Sequence, residues 1–117
     1  MSQTIRWLVR GVHGRVPCNF NWPGVITNRS TVHISAGEVG VGGTLRMPTP
    51  PYQDFYYVLG DADVWVSNIS PHLNTFRGDD PGGVRFILHV NWDSPLDVAI
   101  TITVEDALPV EIQGYHR

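Results

Sequence analysis

The stretches VRFILHVNW (Val84–Trp92) and DVAITITVED (Asp97–Asp106) decide the fold class of this chain. Apolar and polar residues alternate along both, which is the pattern of β-strands that bury one face. The apolar set is Val84, Phe86, Leu88, Val90 and Trp92 in the first stretch and Val98, Ile100, Ile102 and Val104 in the second. Burial of an apolar side chain stabilises a fold by about 1.5–3 kcal/mol, so the two stretches predict the centre of the hydrophobic core.

The short segment between these stretches predicts that they pair as a hairpin. Both apolar faces must lie on one side of the sheet, which requires an even sum of paired residue numbers. Two registers satisfy this rule: Trp92 with Leu96 across a three-residue loop, or Trp92 with Val98, which places Arg85 opposite Glu105.

Short alternating runs separated by turn residues continue along the rest of the 117-residue chain. No window sustains the 3.6-residue apolar period of a helix. The other predicted strands are Thr4–Arg10, Thr31–Ser35, Val39–Met47 and Val110–Tyr115, and the predicted loops and turns are Pro17–Pro23, Ser35–Glu38, Pro48–Gln53 and Pro71–Gly83. This pattern predicts an all-β fold over residues 1–117, a single-domain antiparallel β-sandwich of immunoglobulin-like or jelly-roll type, with a closed barrel as the alternative.

A second hairpin is predicted from Asp54 to Ser67, with Gly60-Asp61 as its two-residue turn. One face of that hairpin is apolar throughout, and the other brings Tyr56 opposite Trp65. Two large aromatic rings on a second face require a partner, which is another sheet, another subunit or a ligand. The polar residues around the pair are Asp54, Asp63 and Ser67.

An aromatic pair flanked by carboxylates is typical of a carbohydrate site, because sugar rings carry apolar C–H faces and hydroxyl edges. The segment Asn19–Trp22 mixes aromatic rings with amides in the same way, although it equally suits a plug at the end of a sandwich. The same residue types also suit a purely structural pair or a subunit interface. The candidate ligand-binding residues are Tyr56, Trp65, Asp63, Asp54, Trp22 and Asn21.

The composition of the chain argues against some classes of binding partner. The formal net charge is −3, and the eight basic residues are arginines spread singly along the chain, so we expect no nucleic-acid partner and no anionic-membrane footprint. No stretch approaches the roughly 20 apolar residues of a membrane helix. The residues after Met1 lack the apolar core of a signal peptide, which predicts a cytoplasmic location by default, with release by a signal-less route as the alternative.

Sequence motifs for catalysis or metal binding are missing, so no catalytic residue and no metal ligand is predicted. Calcium is the one cofactor considered, since acidic pairs lie near turns, but no spacing matches a calcium loop. His33 and His89 occupy outward positions and would form a metal or acid–base site only if their strands were neighbours. Cys18, the single cysteine, allows no internal disulfide and is interpreted as a buried inert thiol. The acidic pairs are Asp61 and Asp63, Asp79 and Asp80, and Asp93 and Asp97.

The sequence therefore predicts a small, non-catalytic, lectin-like module that binds a glycan or another small polar ligand. The first alternative is a self-assembling structural or accessory subunit that buries its aromatic face between copies. The second is a small β-fold enzyme of the cyclase or isomerase type, with a deep pocket around a carboxyl or imidazole group. We expect a homo-oligomer, because lectin-like proteins also gain avidity by oligomerising.

Overall fold

The computed structural model describes residues 2–41, 55–74, 76 and 78–114. Within these residues two antiparallel sheets form a β-sandwich, no helix occurs, and the strands do not close into a barrel. The predicted all-β sandwich is therefore confirmed. The same residues contain no helix long and apolar enough to cross a membrane.

Seven strands, counted over the described residues, make up the two sheets. In chain order they are β1 (Gln3–Val12), β2 (Gly14–Asn21), β3 (Thr31–Val41), β4 (Phe55–Tyr57), β5 (Asp63–His72), β6 (Gly83–Asn91) and β7 (Leu96–Glu105). Sheet A has the order β1-β7-β3-β4, and sheet B has the order β2-β6-β5. β1 thus pairs with β7 in sheet A, and β2, which follows β1 in the chain, pairs with β6 in sheet B. In the immunoglobulin order the first strand neighbours the second, whereas here β1 and β2 lie in different sheets.

The interior strands β6 and β7 supply most of the core. Their predicted inward residues are at most 4% exposed: Val84, Phe86, Leu88, Val90, Val98, Ile100, Ile102 and Val104. Ile26, from the turn after β2, is 1% exposed and joins the same cluster. Trp92 was expected to share this face but is 40% exposed, because the chain has left sheet B before it.

The predicted pairing of β6 with β7 is wrong. β6 lies in sheet B and β7 in sheet A, so the link 92–95 crosses the sandwich instead of turning within one sheet. Neither predicted register forms, and Arg85 pairs with Asn19 and Ser70 rather than with Glu105. Two apolar strand faces meet equally well when the strands are neighbours in one sheet or are packed opposite one another, so alternation alone does not distinguish the two.

The predicted hairpin between Asp54 and Ser67 is wrong for the same reason. Residues 55–57 pair with β3 in sheet A, where Tyr56 faces Gly40. Residues 63–67 pair with β6 in sheet B, where Trp65 faces His89. Gly60-Asp61 therefore belongs to a link between sheets, and the two aromatic rings lie on different sheets. Asp54 falls outside the described residues.

Other segments differ from the sequence prediction in smaller ways. The strands expected over Thr4–Arg10 and Thr31–Ser35 are confirmed, but the turn expected over Ser35–Glu38 is wrong because β3 continues through it. Residues 17–21, expected in a loop, belong to β2, which tolerates Pro17 because it is an edge strand. Residues 110–114 form no strand. Of the segments expected over Val39–Met47 and Pro48–Gln53, only residues 39–41 are described, as the end of β3.

Gly82 holds the turn after β2 against sheet B. Its carbonyl accepts the Trp22 N–H at 2.9 Å, its φ is +88°, and an added Cβ would lie 2.4 Å from the Ile26 carbonyl oxygen. Positive φ strains a residue with a side chain by about 1–2 kcal/mol, and overpacking costs a further 1–3 kcal/mol or so. Only glycine fits here without strain.

We expect Gly82→Ala to lower the free energy of unfolding by about 3 kcal/mol, measured by chemical denaturation. Gly78→Ala is the matched control, because Gly78 has a φ of +72° but nothing lies within 4 Å of its Cβ position. In that variant the free energy of unfolding should fall by only about 1–2 kcal/mol, the cost of positive φ for a residue with a side chain. Equal losses in the two variants would contradict the steric role assigned to Gly82.

Candidate ligand-binding groove

The outer face of sheet B carries side chains in rows that cross its three strands. Odd-numbered residues of β6 point outward, because its even-numbered residues are buried in the core. Strand register sets the partners of each row. The rows are Arg15, His89 and Trp65, then Pro17, Ile87 and Ser67, then Asn19, Arg85 and Ser70.

Two adjoining concavities run along this face and share Asn19 and Arg85. One has a volume of about 300 Å³ and is lined by Pro17, Cys18, Asn19, Asn68, Arg85, Phe86 and Ile87. The other has a volume of about 410 Å³ and is lined by Asn19, Asn21, His72, Asn74, Asp79, Asp80, Pro81 and Arg85. We call the two together the sheet B groove. Its surface is mainly apolar towards Ile87 and more polar than apolar towards Asp80.

A bulge in β5 shapes the first concavity. The register shifts between Ser67 and Ser70, so three residue steps on β5 oppose two on β6. Asn68 at the bulge has a φ of +57°, a conformation that asparagine tolerates better than most residues. The bulge brings Asn68 into the lining of the groove.

Trp65 and His89 stack beside the groove. Their ring centroids are 4.5 Å apart and their planes differ by 4°. The Ser67 hydroxyl and Nε2 of His89 share a hydrogen bond of 2.7 Å, which fixes the imidazole against the indole. Trp65 nevertheless remains 45% exposed. We call this pair the Trp65 platform, a flat apolar surface held in one orientation.

The polar end of the groove is closed by Asp80. Its carboxylate accepts hydrogen bonds from the backbone N–H groups of Gly82 and Asn74, both at 2.9 Å, and from Nδ1 of His72 at 2.9 Å. The pKa of this carboxyl is therefore lowered, mainly by the Gly82 N–H; partial burial opposes the shift, and His72 and the Asn74 N–H add to it. These bonds tie Asp80, Asn74 and Gly82 to His72 at the end of β5.

His72 extends the same network to β2. Its Nε2 donates to Oδ1 of Asn19 at 2.8 Å, and Nδ2 of Asn19 donates to Oδ1 of Asn21 at 2.8 Å. Both ring nitrogens of His72 are therefore engaged with side-chain oxygen atoms of the protein, and the network holds the Asn19 and Asn21 side chains in place.

Arg85 lies where the two concavities meet. Its side chain is exposed and makes no hydrogen bond or ion pair with any residue that the structure describes. A planar guanidinium offers five N–H donors in a fixed arrangement. The middle of the groove therefore presents an exposed guanidinium that no described residue engages.

Three of the six candidate residues from the sequence lie on this outer face. Trp65 and Asp63 occupy one end of it, and Asn21 lines the polar end. Because Trp65 pairs with His89 and Asn21 pairs with Gly83, the two ends are about 20 Å apart along β6.

The structure places the other candidates elsewhere. Tyr56 is 57% exposed on β4 of sheet A, with its ring against Gly40. Trp22 packs edge-on against Phe20, with ring centroids 6.0 Å apart, and contacts the core, as the plug interpretation predicts. Asp54 is not among the described residues.

The sequence did not identify His72 or Arg85 as site residues; it considered Asn19 within the segment Asn19–Trp22, Asp80 in an acidic pair and His89 in a histidine pair. The alternating pattern of β6 already predicted that Arg85 and His89 face outward. This was the one signal in the sequence that placed these residues on a common face. Nothing in the sequence placed β2 beside β6, and residues 17–21 were expected to be a loop. The asparagine–histidine contact joins positions 53 residues apart, which no local pattern reveals.

The histidine pair considered from the sequence does not form. His89 lies on the outer face of sheet B, whereas His33 lies on the outer face of sheet A and contacts Glu105 at 3.2 Å. Among the described residues, no group of three or more histidine, cysteine or acidic side chains is arranged to hold a metal ion. Cys18 points inward from β2, and burial raises the pKa of its thiol, with a backbone hydrogen bond at Leu88 opposing the shift.

We expect the stability that Asp80 confers to depend on pH. Its folded-state pKa lies below the ordinary value of 3.8, so the stabilisation is present above pH 3.8 and is lost as the pH falls through the folded pKa. Asp80→Asn should unfold more easily than the wild type near neutral pH, and the difference should shrink in acid, as measured by thermal unfolding across a pH series. Asp93→Asn, which changes an exposed residue in the link 92–95, should follow the wild-type curve throughout. A difference that widens in acid would contradict this assignment.

Comparisons of the chain with protein-family models, with curated proteins and with solved structures return no match. The interpretation of the groove therefore depends on its own residues and geometry.

Proposed function

We propose that this protein is a non-catalytic carbohydrate-binding module whose ligand lies in the sheet B groove and against the Trp65 platform. One observation carries the proposal: a half-exposed indole, fixed by a stacked histidine, lies on the same sheet face as a groove rich in amide and charged groups. The indole suits the C–H face of a sugar ring, and the groove suits its hydroxyl groups.

The dimensions of the face favour an oligosaccharide over a single sugar. Arg85 and His89 are four residues apart on β6, which separates the groove centre from the Trp65 platform by about 13 Å. The two concavities, of about 300 and 410 Å³, each match the lower range of small-ligand sites. A ligand that reaches both the platform and the polar end must therefore be extended.

The Arg85 guanidinium favours a glycan that bears an acidic group, whereas the Asp79 and Asp80 carboxylates at the polar end oppose one. The Arg85 guanidinium has no partner among the described residues, and guanidinium groups bind carboxylate or sulfate oxygens through two parallel hydrogen bonds. The nearby Asp80 carboxylate is already engaged by two backbone N–H groups and by His72, which reduces its repulsion of an anion.

The enzyme alternative receives less support. A general acid needs a raised carboxyl pKa near the working pH, whereas hydrogen bonds lower that of Asp80. Both ring nitrogens of His72 are hydrogen-bonded to protein side chains, which engages them in holding the groove. The contacts of Asp80 and His72 are explained if both residues hold the binding surface in shape and take no part in a reaction.

We expect Trp65→Ala to weaken binding of the best glycan from an array at least tenfold, about 1.4 kcal/mol, because the stacking surface is removed. Titration calorimetry would measure the affinity, and circular dichroism would check the fold. Trp92→Ala removes an indole of similar exposure, 40%, from the link after β6 and should bind normally. Loss of binding in Tyr56→Ala, with Trp65→Ala unaffected, would place the site on sheet A and contradict the proposal.

We expect Arg85→Gln to reduce affinity for acidic glycans at least tenfold while affinity for matched neutral glycans changes little. Loss of a charge-assisted pair accounts for the difference, and the wild-type preference for the acidic glycan should fall with added salt. Arg29→Gln, in the exposed turn before β3, is the control for net charge. Equal effects of Arg85→Gln on acidic and neutral glycans would show that the guanidinium does not select for charge.

A further inference from the structure

The outer face of sheet B carries a second arginine, Arg15, at a defined distance from Arg85. Both side chains point outward and are exposed, one on β2 and the other on β6. Arg15 pairs with His89, which lies four residues from Arg85 on the same strand. Four residue steps and one strand spacing separate the two arginine Cα atoms by about 14 Å. The face therefore presents one guanidinium in the row of the Trp65 platform and another two rows away.

The sheet supplies neither arginine with a counter-charge. Like Arg85, Arg15 makes no hydrogen bond or ion pair with any residue in the described part of the chain. The strand register places His89 opposite Arg15, and it places Asn19 and Ser70 on either side of Arg85. Both guanidinium groups are therefore available to anionic oxygen atoms of a ligand.

The row between the two arginines carries no charge. It consists of Pro17, Ile87 and Ser67, and the Ser67 hydroxyl already shares a hydrogen bond with His89. Asn68 lines the same concavity and adds a neutral amide. This part of the face suits a neutral sugar ring, whose C–H groups would contact Pro17 and Ile87.

Carboxylates lie beyond the arginines at both ends of the face. Asp63 is one row beyond the Trp65 platform, and Asp79 and Asp80 line the polar concavity beyond Arg85. An acidic group of a ligand at either end would meet a like charge. Along β6 the order of side chains on the face is thus negative, positive, neutral, positive, negative.

We infer that the sheet B groove selects a linear glycan in which neutral residues separate the acidic ones, with one acidic group on Arg15 and the next on Arg85. The inference rests on the proposed function, because it states the order of groups within the same ligand. An alternating glycan places its neutral part over Pro17 and Ile87. A glycan with an acidic group on every residue places anions over this uncharged row or near Asp63 and the polar end, where no cation receives them.

Titration calorimetry with oligosaccharides of matched length tests this order. The alternating probes are glucuronic acid with N-acetylglucosamine and glucuronic acid with N-acetylgalactosamine. The comparison probes are a uniform oligomer of galacturonic acid and a neutral oligomer of N-acetylglucosamine. At least one alternating probe should bind at least tenfold more tightly than either comparison probe. Equal or tighter binding of the uniformly acidic oligomer, or no binding of either alternating probe, would overturn the inference.

Substitution of the two arginines tests their separate roles. Arg15→Gln and Arg85→Gln should each weaken binding of the alternating probe at least tenfold, and the double variant should show the product of the two losses, because the sites are distant. With a disaccharide that bears a single acidic group, the second substitution should add little. Arg29→Gln makes the same change of net charge in the exposed turn before β3 and should bind as the wild type does.

The failure of this inference is distinguishable from failure of the proposed function. If Arg85→Gln and Trp65→Ala weaken binding but Arg15→Gln does not, the groove binds a glycan through one cation and the inference is wrong. If no oligosaccharide binds, or if binding is indifferent to Trp65→Ala, the proposed function is wrong and the inference falls with it. Circular dichroism of each variant checks that the fold is retained.

Discussion

The contact between the inner faces of β6 and β7 is the constraint on which the rest of the structure depends. Four side chains from each strand meet across the sandwich and are almost completely buried. Because these strands belong to different sheets, each has its own neighbours. β7 lies between β1 and β3, and β6 lies between β2 and β5. The link between them must then cross the sandwich, and Trp92 in that link is left outside the core.

The outer face of β6 is available for function because its inner face is fully committed to the core. Arg85, Ile87 and His89 project from an interior strand, which is the most rigid position in a sheet. The flanking strands add the indole of Trp65 from one side and the amide of Asn19 from the other. Preorganised side chains reduce the entropy lost on binding, which favours a platform built on strands over one built on loops.

The sequence by itself determined most of the strands that bury one face, since alternation is a local property of the backbone, but it placed residues 17–21 of β2 in a loop. It thereby identified the inward residues of β1, β3, β6 and β7 and the outward placement of Arg85 and His89. Tertiary structure decided which strands pair, because apolar faces are buried equally well beside or opposite one another. It therefore separated Tyr56 from Trp65, and it assembled the contact of His72 with Asn19 and Asp80 from distant parts of the chain.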